Sequence, residues 1–486
     1  MKKLSIATLA MAVLASACTK NITKLNNDTK SPTTVPSTTL FTYGEKNLVD
    51  ALVGTSVSST PFRVLAQSWT ENTYVYEAQY SFSAYNAPSG FWGRMYANTT
   101  PNSVLNTLAA AKKLYPNDIA DAASLRNWNI MTDILQVHAY ALLVNTYGNI
   151  PYSQALQDSI PFPKYDDAKT VYLDLLHRLD TCIANINTSA SISNSDADQL
   201  FYGDPVKWKK YAASLKLKLA MIMADVDPAT AAAKVNEAVA AGVFTSNSDN
   251  AVYQYYSTST SASNPVWQAL VNSGRHDFCP ANLLVETMKS WNDPRLPLYF
   301  NKVNGDYLGG FPGKGNSYSK FSTLSNQWLS PTFPGDILDY AEVEFLLAEA
   351  AARGMGVSGT AAEHYSKAVT ASIEYWGGSA ADAVAYLAQP SVNYVTAAGD
   401  YKQKIGYQKW IALADRGWDA WTEIRRLKQP NLDVVSPPTG AKSTLPLRFY
   451  YPNIEQTSNS AHWQEAVQAV TGSDADVVTA KLWWMK

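Results

Sequence analysis

The stretch 346-LLAEAAARGMGVSGTAAEHYSKAVTASIEYWG-377 decides the fold. It reads as two helices joined by a glycine-rich turn. Ala350 and Gly354 are small and let one helix approach its neighbour closely. Ala361, Tyr365 and Ala368 then set a small, an aromatic and a small residue along one face of the second helix. A lone pair of helices cannot bury its apolar face, so such pairs stack.

The pattern resembles a tetratricopeptide hairpin, and the chain outside it is helical in the same way. In 168-AKTVYLDLLHRLDTCIANI-186, apolar residues at 171, 172, 175, 176, 179, 182, 183 and 186 make one buried face. In 124-SLRNWNIMTDILQVHAYALLVNTYG-148, apolar residues recur at threes and fours, and Gly148 suits a C-terminal cap. In 203-GDPVKWKKYAASLKLKLAMIMADV-226, Asp204 is an N-cap and Pro205 takes the first helical position. Further helices are expected over about 337–353, 360–376, 402–428 and 461–470. The other pairs match the hairpin loosely, which predicts degenerate repeats. The expected fold is mainly α: tetratricopeptide-like helix hairpins stacked as a scaffold, with a large irregular, loop-rich half facing a ligand. Residues 54–100 and about 243–335 supply that half. Both are rich in Gly, Pro, Ser, Asn and aromatics, and irregular segments of such length usually carry function.

Composition agrees with a folded binding protein. Of the 486 residues, 46% are hydrophobic and 16% charged, enough apolar material for a sizeable core. There are 29 Tyr and 14 Trp, residues with an apolar face and a polar handle. Net charge is −2 with no basic stripe, so nucleic acid is not an expected partner.

The N-terminus, MKKLSIATLAMAVLASAC, has two lysines, an apolar run from Leu4 to Leu14 and small residues before Cys18. The apolar run is too short for a membrane span and reads as a signal peptide over 1–17. A Cys directly after the small residues resembles a bacterial lipobox, which implies diacylglycerol attached at Cys18. Residues 18–40 are polar and turn-rich and read as a tether. A single domain over 41–486 follows. Of the two remaining cysteines, Cys182 lies on an apolar helix face and reads as a buried free thiol; a bridge to Cys279 stays open.

Six stretches read together: 146-TYGNIPYSQAL-156, 203-GDPVKWKKYAASLKLKLAM-221, 293-DPRL-296, 340-YAEVEFLLAEAAARG-354, 408-QKWIALADRGWDAWTEIRRL-427 and 446-PLRFYYPNIEQTSNSAHWQEAV-467. With the lipobox in front, the chain resembles the SusD/RagB family of Bacteroidetes outer-membrane lipoproteins, and most closely the SusD-like branch. The resemblance covers nearly the whole chain from Cys18. It implies a lipid-anchored protein of the outer membrane, facing the cell surface, that sits on a SusC-like TonB-dependent barrel. It implies capture of oligosaccharides for import, or of peptides in some members, or a gating lid with no ligand preference. It implies no catalysis and no cofactor.

The residues give no chemistry against that reading. The five His, at 138, 177, 276, 364 and 462, never pair at zinc-ligand spacing. His138 is expected as a hydrogen-bonded core residue. There is no G-x-S-x-G elbow or calcium loop, and 309-GGFPGKG-315 fails the spacing of a phosphate loop. No metal site is expected.

A sugar binder uses ring faces and planar amides. The segment 69-WTENTYVYEAQYSF-82 carries five aromatics at spacings of neither helix nor strand period. The resemblance implies binding aromatics in this early loop and in the segment after the middle hairpins. The candidates are therefore Trp69, Asn72, Tyr74, Tyr76 and Tyr80, with Trp267, Arg275, His276, Tyr318 and Trp328. Trp69 and Asn72 lead; Phe82 is conceded to the core, as are Trp92, Tyr96, Trp208, Leu215 and Leu219. Trp410, Trp418 and Trp421 are expected to pack on the next hairpin, and Asp293-Pro294-Arg295 to form a turn with a charge pair.

Overall fold

The structure is a computed structural model that describes residues 35–96, 103–432 and 440–486. The signal peptide, Cys18 and most of the tether lie outside the described residues. The first helix, α1 (Ser37–Val53), begins inside the stretch read as tether. Phe41, Gly44, Glu45, Leu48 and Leu52 give it a buried face at helical spacing. A Cβ on Gly44 would meet Leu108 at 2.7 Å, so this glycine allows α1 to lie close against α3 (Val104–Asp118). Between them runs α2 (Ala87–Tyr96), which buries Trp92; Tyr96 is half-buried against the core and donates to Pro151 O.

The long helix α4 (Ala122–Tyr147) starts at Asp121, whose carboxylate accepts Ser124 N–H at 2.6 Å. It stops at Gly148, which takes φ +95°. Its second half is buried all round, as expected of a helix inside a large protein. Two of the polar residues there reach across to other helices: His138 shares a 2.6 Å hydrogen bond with Tyr211, and Thr146 accepts from the Trp418 indole at 2.9 Å. Helix α5 (Ala168–Asn185) packs on α4, α6 (Pro205–Ile222) on α5, and α7 (Pro228–Ala241) on α6. Asp204 caps α6 as predicted, and Trp208, Leu215 and Leu219 are buried.

The short helix α8 (Asn282–Ser290) precedes the hairpin read first in the sequence. That hairpin is α9 (Tyr340–Ala352) and α10 (Ala361–Tyr375), followed by α11 (Ala380–Leu387). Ala350, Tyr365 and Ala368 are buried between the helices. Gly354 has a different role from the one expected. It lies beyond α9 at φ +69° with open space about its Cβ position, so it makes the turn rather than the close contact. The helix expected over 402–428 is two, α12 (Tyr401–Ala412) and α13 (Gly417–Leu427). The break serves a contact: a Cβ on Gly417 would meet Arg63 N at 2.3 Å. Trp410, Trp418 and Trp421 are buried, but not against the next hairpin. Their indole N–H groups donate to Ala66 O, Thr146 Oγ1 and Pro446 O, across the chain. The last helix is α14 (Ser460–Thr471).

Buried ion pairs tie these helices together. Lys218 of α6 bridges Glu342 of α9 at 3.2 Å and also pairs with Asp419 of α13. Arg416 reaches Glu342 at 2.7 Å and Asp339 at 3.0 Å. Arg426 grips Glu349 and Glu423, each at 2.5 Å. The Asp293–Arg295 pair of the predicted turn forms at 2.6 Å and is fully buried. Isolated charges in such a place would cost several kcal/mol each, so the pairing holds the helices in register. Cys182 and Cys279 are both buried and free.

Among the described residues the strands form four two-stranded antiparallel ladders, most of them within the irregular segments. The ladder that matters for the site joins β1 (Trp69–Glu71) to β2 (Phe278–Pro280), with Trp69 opposite Pro280 and Glu71 opposite Phe278. It brings the two long loops predicted to face a ligand into one lobe. Among the described residues no helix is long and apolar enough to cross a membrane.

Candidate functional site

The leading sequence candidate becomes core. Trp69 is 1% exposed. Its ring sits edge-on to Trp328 at 5.2 Å, beside Phe278, and under the guanidinium of Arg63 at 4.6 Å. Trp328 is 0% exposed and packs against Phe300, Tyr299 and Trp376. Neither indole offers a face to a ligand, so both expectations are corrected. The β1–β2 ladder is the reason: a strand covered on both faces buries successive residues.

Asn72 is buried too and is corrected to a structural role. Its amide donates to His276 O at 2.8 Å, its backbone N–H donates to Asp277 O at 2.7 Å, and its carbonyl accepts Asn316 N–H at 2.9 Å. One residue thus fastens three loops to each other. Tyr80 is 3% exposed and lies within hydrogen-bond distance of the Gln67 amide, so it is removed from the ligand set. Phe82 is core, as conceded, against Phe449. Trp267 is half-buried on the turn that leads into this lobe and does not line the cleft described below.

The remaining candidates stay outside and come together. Tyr74 is 61% exposed and Tyr76 42%. Tyr74 takes φ +59°, an uncommon backbone conformation for a bulky residue. Tyr76 meets Tyr85 edge to face at 5.9 Å. Arg275 is exposed and pairs with Asp277 at 2.7 Å. The next residue, His276, stacks on Tyr318 with centroids 4.1 Å apart and planes at 16°. His276 and Tyr318 line a cleft of about 250 Å³ floored by Leu270, Phe278 and Leu324.

A third loop completes the surface. Gln79 donates to Gly313 O at 3.0 Å, and Asn316 donates to Glu71 O at 2.8 Å. This holds Phe311, 45% exposed, beside the same lobe. The loop can lie there because Gly310 lacks a side chain: a Cβ would meet Cys279 Sγ at 2.5 Å and Thr70 at 3.0 Å. Tyr85 and Phe311 were missed from sequence. The signal for Phe311 was the Gly309-Gly310 pair in front of it, which marks close backbone approach.

Beneath the tyrosines, Glu71 and Glu77 lie together in the protein. Burial, and for Glu71 the neighbouring Glu77, push both carboxyls up, Glu77 to about 7. Glu71 also accepts Ala78 N–H at 3.1 Å. The pair therefore keeps protonation up to neutral pH. Among the described residues no group of three or more His, Cys, Asp or Glu gathers as a metal site.

The surface is thus a set of exposed rings from three tied loops, with one guanidinium, over an apolar floor. It can stack against flat apolar faces and donate hydrogen bonds beside them. Nothing in it resembles a nucleophile with a base. The family described as "Starch-binding associating with outer membrane", SusD-like, matches residues 27–452. The chain belongs to the SusD-like family. This makes it a glycan-binding protein associated with the outer membrane, and SusD-like proteins bind rather than catalyse.

Solved structures agree on the fold. The SusD-like chain is 27% identical to a chitin-binding protein, covering 92% of this chain and 99% of that one, with a TM-score of 0.78. It is 26% identical to a SusD homolog from Bacteroides uniformis, with the same coverage and TM-score. A chitin-binding SusD homolog from Flavobacterium johnsoniae shares the fold at 24% identity, 92% and 98% coverage and a TM-score of 0.73. No curated protein matches the chain.

Proposed function

We propose that this SusD-like protein captures oligosaccharides on the surface of Tyr74, Tyr76, Tyr85, Arg275, His276 and Tyr318. It then hands them to a SusC-like TonB-dependent barrel while anchored by lipid at Cys18. The observation that carries the reading is the exposed ring group itself. Tyr74 and Tyr76 keep 61% and 42% of their surface in water, and Phe311 on the loop tied beside them keeps 45%. Large apolar faces left out in one place mark an interaction site. Pyranose rings present flat C–H faces that stack on tyrosine, and the hydroxyls at their rims suit Arg275 and the tyrosine O–H groups.

Two glycan classes lead. The family description names starch, and the relative at 27% identity binds chitin. Titration calorimetry with malto- and chito-oligosaccharides tests the proposal. We expect a single-digit to hundreds of micromolar affinity for one class, because an open platform buries little of its ligand. Replacing Tyr74 and Tyr76 together by Ala is expected to weaken it by at least about tenfold. An affinity unchanged in that variant would sink the assignment of the platform. Delivery to the barrel is tested separately, by whether the barrel co-purifies with the native lipoprotein.

A further inference from the structure

Away from the platform, a second cleft of about 350 Å³ opens where the end of α8 meets α10, α12 and the loop between α11 and α12. Trp291 follows the last residue of α8. Its ring meets that of Tyr407 on α12 with centroids 5.5 Å apart and planes at 60°. Both rings are half-buried, so each keeps part of its surface toward the cleft. Thr287, Ser391 and the exposed Gln403 complete the wall. Among the described residues, the Trp291 indole N–H, the Tyr407 hydroxyl, the Gln403 amide and the hydroxyls of Thr287 and Ser391 have no protein partner.

Charge is nearly absent from this wall. No carboxylate lines it, and its one cation is engaged: Lys404 donates to Tyr394 O at 2.9 Å and lies over the Tyr394 ring at 5.2 Å. A phosphate finds only this one, already engaged, cation, and a cationic peptide finds no carboxylate. A neutral polyhydroxylated ligand finds two ring faces and a ring of free donors and acceptors. The volume falls within the range of small-ligand clefts, about 300–1,000 Å³.

We propose that this cleft is a second saccharide site, weaker than the platform, that takes one or two pyranose units of a neutral glycan. It rests on the glycan reading of the family. A protein with two such sites holds a polymer more tightly than a short oligosaccharide, since the second contact becomes intramolecular wherever the chain spans both.

Four proteins test it: the wild type, Tyr74→Ala/Tyr76→Ala, that pair plus Gln403→Ala, and that pair plus Tyr407→Ala. Each is titrated with maltoheptaose and chitohexaose, with thermal melts to confirm folding. We expect two classes of site in the wild type and survival of the weaker class in the platform variant. Gln403→Ala then weakens that class by about fivefold, and Tyr407→Ala removes it. A platform variant that binds nothing, beside a wild type that binds one equivalent, overturns the second site and leaves the platform standing. Residual binding untouched by both Gln403→Ala and Tyr407→Ala also overturns it. Binding lost only with the cleft substitutions supports the cleft and removes the platform. A wild type silent toward both glycans overturns both readings.

Discussion

At the scale of single residues, two aromatic side chains five positions apart have opposite fates. Trp69 lies between Arg63, Phe278 and Trp328, while Tyr74 points into water. Trp69→Ala leaves a large void and an uncovered guanidinium. It is expected to cost about 3–5 kcal/mol of stability, read as a fall in the urea midpoint. Tyr74→Ala should change stability by no more than about 0.5 kcal/mol and lower glycan affinity instead. The reverse pattern would contradict these opposite fates. The carboxyl pair makes a pH prediction. Glu71 and Glu77 bind protons more tightly folded than unfolded. Their contribution is therefore full below the ordinary Glu range and is lost as pH rises through about 7 for Glu77. Glu77→Gln should be more stable than wild type to urea at pH 8, by on the order of 1 kcal/mol or more, and match it near pH 4. Equal gains at both pH values would contradict this.

At the scale of elements, the sequence was read well where one helix face was apolar and poorly elsewhere. The helices α5, α6, α9, α10 and α14 lie within a few residues of their expected ends, because N-caps such as Asp204 and Thr360 and turn glycines such as Gly354 act locally. Helix α1 went unseen because its first turn lies in the polar stretch read as tether and Gly44 interrupts its apolar face. Its face is clear only once α3 is set against it. The strand β1 was unreadable for a different reason. Three residues buried on both faces have no period to detect. The same ladder makes a prediction at Gly310. Ala there drives a methyl into Cys279 and Thr70. The loop must shift, costing about 1–3 kcal/mol, and Phe311 and Tyr318 shift with it. Calorimetry should show weaker glycan binding by Gly310→Ala while the helix content in circular dichroism stays unchanged.

At the scale of the molecule, the charged residues buried between α6, α9, α12 and α13 fix how the hairpins sit on each other. Lys218 serves Glu342 and Asp419 at once. Replacing it with Met keeps the stem but leaves two carboxylates with less compensation, and the expected loss is about 3–5 kcal/mol. Thermal melting checks this. A melt unchanged from wild type would mean the network is dispensable to the stack.

The sequence by itself determined the helical scaffold and the family. Caps, glycines and amphipathic periods are properties of neighbouring residues, and six motifs in order are specific even where each alone is weak. It also marked two irregular segments as candidates for the ligand surface. Only the tertiary structure decided which rings in those segments meet water. Whether Trp69 or Tyr74 is covered depends on Arg63, Phe278 and Trp328, and two of these three partners lie more than two hundred residues away along the chain. Burial is set by what arrives from elsewhere in the chain, and short irregular segments carry no local pattern that announces it.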